Sequence, residues 1–108
     1  SRSSPSHEDG MIYVVATLTI KPGTLEALRT PAAACVAATR AEDGCVSYEL
    51  FESLDDPQRL VFVERWASPE ALSAHARTPH VLAWREASAP HLLSRKIEVI
   101  HPEKVESF

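Results

Sequence analysis

Apolar residues run almost without interruption through the first patterned stretch of the chain, residues 11–20, whose sequence is MIYVVATLTI. The stretch is rich in β-branched residues, which are common in strands. A strand with one face in water alternates apolar and polar residues, whereas this run is close to continuously apolar. We therefore predict a strand that is buried on both faces.

A helical pattern follows the break at Lys21-Pro22-Gly23. Its apolar residues recur at helical spacing, at Leu25, Leu28, Ala32, Cys35 and Val36. Thr24 is a suitable N-cap, and Gly44 can end the helix by taking the left-handed C′ conformation. Pro31 lies inside the helix, so we expect a kink there or a later start.

Two further stretches predict a β-hairpin. In residues 45–53 the alternation is expected to place Val46, Tyr48 and Leu50 on one face and Ser47, Glu49 and Phe51 on the other. Residues 54–58, LDDPQ, form a turn signal before a second strand over residues 59–66. Strands joined by so short a link pair in antiparallel orientation.

The rest of the chain predicts two short helices and a closing strand. Ser68-Pro69 and Thr78-Pro79 each combine an N-cap residue with proline at the first helical position, so residues 68–89 divide into two helical pieces. A final strand is expected over residues 94–101. The resulting order is typical of the α+β class with a ferredoxin-like βαββαβ subunit, in which the helices cover one face of an antiparallel sheet. Because the strands are apolar on both faces, a second copy of the chain is expected to cover the other face.

Length and composition narrow the class of protein. A chain of 108 residues fits one domain, which we place at residues 11–108, and residues 1–10 have the composition of a flexible leader, native or left by cloning. The net charge of −4 and the absence of a basic run argue against nucleic-acid binding. No apolar stretch is long enough to span a membrane, so a cytoplasmic location is expected. Cys35 and Cys45 lack CxxC spacing and are expected to be thiols.

The strand LVFVERW places a carboxylate between two aromatic residues, because Phe62, Glu64 and Trp66 share one face. A buried Glu64 must be hydrogen-bonded or must have a raised pKa. It could equally pair with a nearby arginine or cap a helix. His75 shares the sheet-facing stripe of its helix with Leu72, where a histidine is either part of the core or a catalytic group.

Two more candidates follow on the next helix. His80 comes directly after the Thr78-Pro79 cap, where the helix N-terminus favours a neutral ring, and Trp84 lies one turn further on. Both residues also fit plain packing or capping roles. A metal site made of Glu64, His75 and His80 is not expected, because the HxxxxH spacing differs from the i, i+4 spacing that puts two imidazoles on one helix face. The phosphate-binding and serine-hydrolase motifs GxGxxG, GxxxxGK and GxSxG are absent from the sequence.

Three stretches together resemble the antibiotic biosynthesis monooxygenase family, and especially its small bacterial quinol monooxygenases. They are IKPG at residues 20–23, EDGCVSYEL at 42–50 and VERWASPEALSAHARTPHVLAW at 63–84. The resemblance implies a homodimer whose two sheets join as a dimeric α+β barrel. It further implies oxidation of a quinol- or anthrone-like small aromatic by O₂, with no metal or other cofactor.

The same resemblance implies roles for individual residues in a pocket between sheet and helices. His75 is the expected base, and Glu64 the residue that orients it. The expected substrate-binding residues are Tyr48, Phe62, Trp66, His80 and Trp84. Removal of a proton makes an electron-rich anion that can itself reduce O₂, so a base and a shaped apolar pocket suffice. An isomerase of a small oxygenated metabolite, or a dimer that only binds a small ligand, would use the same pocket; arginine or lysine pointing into it would favour the isomerase.

Overall fold

A computed structural model describes residues 10–108 of the chain; the predicted leader lies outside these residues except for Gly10, which is in a turn. The elements are β1 (Ile12–Ile20), α1 (Leu25–Arg40), β2 (Cys45–Ser53), β3 (Asp56–Trp66), α2 (Pro69–His75), α3 (Pro79–Ser88) and β4 (Leu92–Ile100), with one turn of 3₁₀ helix (Ala89–His91) before β4. This order confirms the predicted α+β ferredoxin-like arrangement. Within the described residues no helix is long and apolar enough to cross a membrane.

The four strands form one antiparallel sheet in the order β2-β3-β1-β4. Every second residue of β1, from Ile12 to Ile20, is buried against the helices. The register places Val14 opposite Glu64 of β3 on one side and opposite Val99 of β4 on the other. One face of the sheet, at its centre, therefore carries both the apolar core and a carboxylate.

The other face, which we call the open face, has no helix over it among the described residues. It carries apolar side chains at Tyr13, Val15, Val61, Val63, Phe51 and Ile100. The side chains of β1 on this face are half-buried, so the predicted burial of this strand on both faces holds for only one face within a single chain. The open face is the surface that the predicted second copy would cover.

Helix α1 departs from the prediction at its cap, its proline and its end. The helix starts at Leu25 as expected, but the Thr24 hydroxyl donates to the Lys21 carbonyl oxygen at 2.7 Å instead of capping α1. It continues through Pro31, so the later start was wrong. It ends at Arg40, and Gly44 takes its left-handed conformation (φ +84°) in the turn before β2 rather than at C′.

The face assigned to Val46 was also wrong. The pairing of β2 with β3 shifts between Cys45, opposite Trp66, and Ser47, opposite Arg65, so one extra residue is accommodated there. This β-bulge turns Val46 outward, where it is exposed, while Tyr48 remains on the buried face as predicted. A strict two-residue period cannot reveal such an insertion.

The break between the last two helices is confirmed, and each helix has the predicted cap. The Ser68 hydroxyl accepts a hydrogen bond from the Ala71 N–H, and the Thr78 hydroxyl accepts one from the Val81 N–H. The Thr78 hydroxyl also donates to the carbonyl oxygen of His75 at 2.8 Å. One side chain thus links the end of α2 to the start of α3.

Candidate functional site

A cavity of about 220 Å³ lies between the sheet and the helices α2 and α3, and we call it the helix-side cavity. Its walls are mostly apolar, with polar groups from Tyr48, Glu64, His75, Arg85 and Arg95. The apolar lining comprises Val14, Ala16, Leu18, Phe62, Leu72, Ala76, Val81, Trp84, Ile97 and Val99. Its volume is below the roughly 300–1,000 Å³ of pockets for drug-sized ligands, so it suits a small molecule.

A second hollow of about 600 Å³ lies along α1 and β2, but it is a weaker candidate. Its titratable lining residues are Arg29, Arg40 and Glu52, all of them exposed. The helix-side cavity, in contrast, brings a buried imidazole, a buried carboxyl group and a buried phenol together. Chemistry that needs a proton acceptor in a dry site is therefore better served there.

Glu64 stands on the buried face of β3, as the alternation predicted, and is only 5% exposed. Its Oε1 accepts a hydrogen bond of 2.8 Å from the indole N–H of Trp66. Burial raises the pKa of Glu64 to about 7; the Trp66 hydrogen bond opposes the rise, and the charge of Glu42 adds to it. The carboxyl group can therefore exchange a proton near neutral pH. Among residues 10–108 Glu64 neither pairs with an arginine nor caps a helix.

Tyr48 lies directly opposite Glu64 across the β2–β3 pair and is also buried. Its ring centroid is 5.3 Å from that of Phe62 and 5.4 Å from that of His75. Burial raises the pKa of the Tyr48 phenol, so it stays protonated at neutral pH. The β-bulge before Tyr48 is what brings it into this register with Glu64.

His75 is the last residue of α2, and its ring is buried against the sheet as predicted. Its Nδ1 lies 2.8 Å from Oε2 of Glu42, and its centroid is 4.6 Å from that of Trp66. Burial lowers the pKa of His75, while Glu42 opposes that shift. The ring is therefore largely neutral at pH 7. With Nδ1–H donating to the carboxylate, Nε2 keeps its lone pair and can accept a proton.

His80 shares the same carboxylate oxygen, because its Nε2 lies 2.6 Å from Oε2 of Glu42. Sequence reasoning missed Glu42 and gave the orienting role to Glu64 instead. Within residues 10–108 Glu64 forms no hydrogen bond with His75, and the carboxylate that does is that of Glu42. Glu42 follows α1 in the turn before β2, and only its place in the EDGCVSYEL stretch could have pointed to it.

Glu42, His75 and His80 together offer donor atoms that could hold a divalent cation, since the three atoms lie within 4.8 Å of one another. The HxxxxH spacing did not predict this grouping, because it was judged for a single helix. His75 lies on α2 and His80 on α3, and the turn between the helices brings the two rings together. Atoms that share a zinc ion in tetrahedral geometry lie roughly 3.3 Å apart, given bonds of about 2.0–2.1 Å. The contacts of 2.8 and 2.6 Å are instead those of hydrogen bonds. We interpret the cluster as a carboxylate that fixes two imidazoles.

The predicted substrate-binding residues divide into two layers. Tyr48, Phe62 and Trp84 line the helix-side cavity. Trp66 and His80 are not among its lining residues; their ring centroids lie 4.6 Å and 6.2 Å from that of His75. Arg85 of α3 and Arg95 of β4 also line the cavity and were not singled out from the sequence.

Comparison with protein families identifies the family of this chain. Residues 11–87 fit the family described as "Antibiotic biosynthesis monooxygenase". The matched range contains Glu42, Tyr48, Glu64, His75 and His80, but it ends before β4.

Relatives and solved structures agree with that match. "Putative monooxygenase Rv0793" of Mycobacterium tuberculosis is 42% identical over 88 residues, which cover 82% of this chain and 85% of that protein. "Probable quinol monooxygenase YgiN" of Escherichia coli is 30% identical over 103 residues, covering 85% and 98%. The solved structure of the Mycobacterium tuberculosis protein superposes with a TM-score of 0.82, at 37% identity, over 90% of this chain and 99% of that one.

Proposed function

The chain belongs to the antibiotic biosynthesis monooxygenase family, as the sequence resemblance indicated, and from that premise we propose that it oxidises a small quinol- or anthrone-like aromatic with O₂ and without a cofactor. Membership and the names of the relatives support a monooxygenase-type enzyme. The substrate class and the independence from cofactors are our own inference.

One observation carries the proposal. A buried, largely neutral imidazole, His75, borders an apolar cavity, and a carboxylate holds the far nitrogen of its ring. This leaves one basic nitrogen for a substrate in a mostly apolar site, whose other polar lining groups are Tyr48, Glu64, Arg85 and Arg95. Such a site favours the conversion of a phenol into a phenolate.

In the proposed reaction Nε2 of His75 takes the proton of a phenolic O–H or of an acidic C–H. The resulting anion transfers an electron to O₂, and the two radicals combine into a hydroperoxide that loses water. A quinol plus O₂ thus gives a hydroxyquinone plus water, and an anthrone plus O₂ gives an anthraquinone plus water. The substrate supplies all four electrons that O₂ accepts, so no external reductant is needed.

Glu64 and Tyr48 complete the assignment of roles. With a pKa of about 7, Glu64 can hold the proton that the hydroperoxide needs when water leaves. Tyr48, which stays protonated, can donate a hydrogen bond to the anionic oxygen of the substrate. Phe62 and Trp84, whose ring centroids are 5.8 Å apart, form the aromatic wall.

We further propose that the enzyme is a cytoplasmic homodimer. The apolar residues of the open face give two chains a surface to bury by packing sheet against sheet. The family resemblance implies the same arrangement, a dimeric α+β barrel. The helix-side cavity lies on the opposite face of the sheet, so each subunit would keep its own site.

An isomerase acting on a small oxygenated metabolite is the second candidate, and one observation favours it. Arg85 and Arg95 line the helix-side cavity, and cationic side chains there are what a phosphorylated substrate would require. An isomerase would consume no O₂, so oxygen uptake separates the two reactions.

The test is oxygen consumption by chelator-treated protein with a panel of reduced naphthoquinones and anthrones, corrected for autoxidation. We expect wild type to consume one O₂ per product without releasing hydrogen peroxide, because the second oxygen atom leaves as water. His75→Ala should lose most of the rate and still bind substrate. His101→Ala, which removes an exposed histidine of the C-terminal segment, serves as the matched control.

Two results would contradict the proposal. The first is wild-type oxygen uptake no faster than the blank across the panel. The second is hydrogen peroxide formed in equal amount to O₂ consumed, since the enzyme would then be an oxidase. If His75→Ala consumed oxygen as fast as wild type, His75 would not be the base, but the oxygenase proposal itself would stand.

A further inference from the structure

The helix-side cavity has a cationic side as well as an apolar interior. Arg95 lies on the same face of β4 as Ile97 and Val99, and all three line the cavity. Arg85 reaches it from α3, where it follows the cavity-lining Trp84. The two guanidinium groups come from different elements, and both are exposed, which places them where the cavity meets solvent.

Neither guanidinium group has a carboxylate partner within 4.0 Å among residues 10–108. Arg29 pairs with Glu26 and Arg40 approaches Glu49, whereas Arg59, Arg65 and Arg77 likewise have no such partner among these residues. The neighbours of Arg95 on β4, Lys96 and Glu98, pair with each other on the open face. The donors of Arg85 and Arg95 are therefore available to a ligand.

The position of Arg85 also has an electrostatic effect inside the site. Burial lowers the pKa of His75 most, and the charge of Arg85 makes the smallest contribution to that shift. Arg85 therefore acts on the same region of the cavity as the proposed base. In a protein with a net charge of −4, a local cationic group favours the approach of an anion.

From these contacts we propose that Arg85 and Arg95 form an anion subsite at the mouth of the helix-side cavity, so that the substrate carries a carboxylate or phosphate group beside its reacting part. The guanidinium fork presents parallel N–H donors that match the oxygens of either group. The volume of about 220 Å³ leaves room for a small ring system in the apolar interior. The anion subsite rests on the proposed function in one respect, namely that the helix-side cavity is the substrate site.

Binding can be measured without turnover, which keeps this proposal separate from the oxygenase. By calorimetry at low salt, 2-naphthoate would be compared with its uncharged methyl ester, and ribose 5-phosphate with ribose. We expect at least one anion to bind about fivefold or more tightly than its neutral partner. Arg85→Gln and Arg95→Gln should each reduce that ratio, and added salt should reduce it further.

Arg29→Gln is the control, because Arg29 is also exposed but pairs with Glu26 on α1, away from the cavity. Both site arginines are on the surface, so the variants should fold; Arg85→Lys and Arg95→Lys, which keep the charge, should retain most of the preference. A preference for 2-naphthoate supports an acidic aromatic substrate. A preference for ribose 5-phosphate alone keeps the anion subsite and favours the isomerase.

The proposal fails if neither anion binds more tightly than its neutral partner. It also fails if Arg29→Gln lowers the ratio as much as the site variants do, since the attraction would then be a general surface effect. Loss of oxygen uptake, in contrast, would count against the proposed oxygenase and leave the binding result as it is.

Discussion

The Nδ1 atom of His75 lies 2.8 Å from a carboxylate oxygen of Glu42, a residue 33 positions earlier in the chain. The contact joins the turn before β2 to the end of α2. It fixes the orientation of the ring and assigns the proton to Nδ1, so the nitrogen left to act as a base is Nε2. Glu42 therefore acts on the reaction through His75.

Replacing Glu42 by Gln should slow oxygen uptake by at least about tenfold, because the neutral amide no longer stabilises the imidazolium that forms when His75 takes a proton. Glu42 raises the pKa of His75, so its loss should move the acidic limb of the pH–rate profile to lower pH. NMR titration of the imidazole measures the same shift directly. Glu49→Gln, which neutralises an exposed carboxylate on β2, should leave both quantities unchanged.

Glu64 should make the protein less stable as the pH rises. Its pKa is about 7 in the folded chain against an ordinary value of 4.5, so the folded state binds the proton more tightly than the unfolded state. The free energy of unfolding should fall as the pH rises from about 4.5 through 7, by at most about 3 kcal/mol, and level off at about pH 8.

Urea unfolding of wild type and Glu64→Gln at pH 5 and pH 8 tests this expectation. The free energy of unfolding of Glu64→Gln should fall much less between pH 5 and pH 8 than that of wild type. The difference in stability between variant and wild type should therefore shift in favour of the variant at pH 8. Equal pH dependence in the two proteins would show that Glu64 is not the group responsible.

Gly44 should be sensitive to any side chain. Its φ of +84° disfavours other residues, and a Cβ atom there would come within 2.6 Å of the Cβ of Ala71 in α2. Gly44→Ala should therefore destabilise the fold by about 2–4 kcal/mol. Gly23→Ala, at φ +77° with nothing within 4 Å, should cost only about 1–2 kcal/mol. Thermal unfolding of both variants measures the difference, and equal losses would show that the contact with Ala71 contributes nothing.

A charge on the open face should separate the proposed dimer. Val63 lies opposite Val15 near the centre of that face, and Val63→Glu would bury a carboxylate between two sheets. Light scattering coupled to gel filtration should find dimers for wild type and monomers for the variant. Leu82→Glu, on the exposed side of α3, should remain dimeric. A wild-type monomer would remove the dimer from the proposal.

The fold could be predicted from hydrophobic periodicity and capping signals, because both act locally. Ser68-Pro69 and Thr78-Pro79 placed two helices correctly, and the alternation of β3 put Glu64 on the buried face. The bulge at Val46 could not be predicted. One extra residue in β2 changes the face on which Val46 lies, but it leaves no signal in the residue types of the strand. The site was harder still. Glu42 follows a helix, where an acidic residue is usually on the surface, and its link to His75 exists only after the chain has folded.

The hydrogen bonds of Thr78 also limit how the length of the chain can change. Its hydroxyl joins the His75 carbonyl to the Val81 N–H, so the interval 76–78 sets the distance between two imidazoles that share one oxygen atom. One residue inserted into this interval would separate the Thr78 hydroxyl from the His75 carbonyl and so displace His80 from Glu42. Loops between helices commonly accept insertions and deletions, but this one has the properties of a spacer of fixed length.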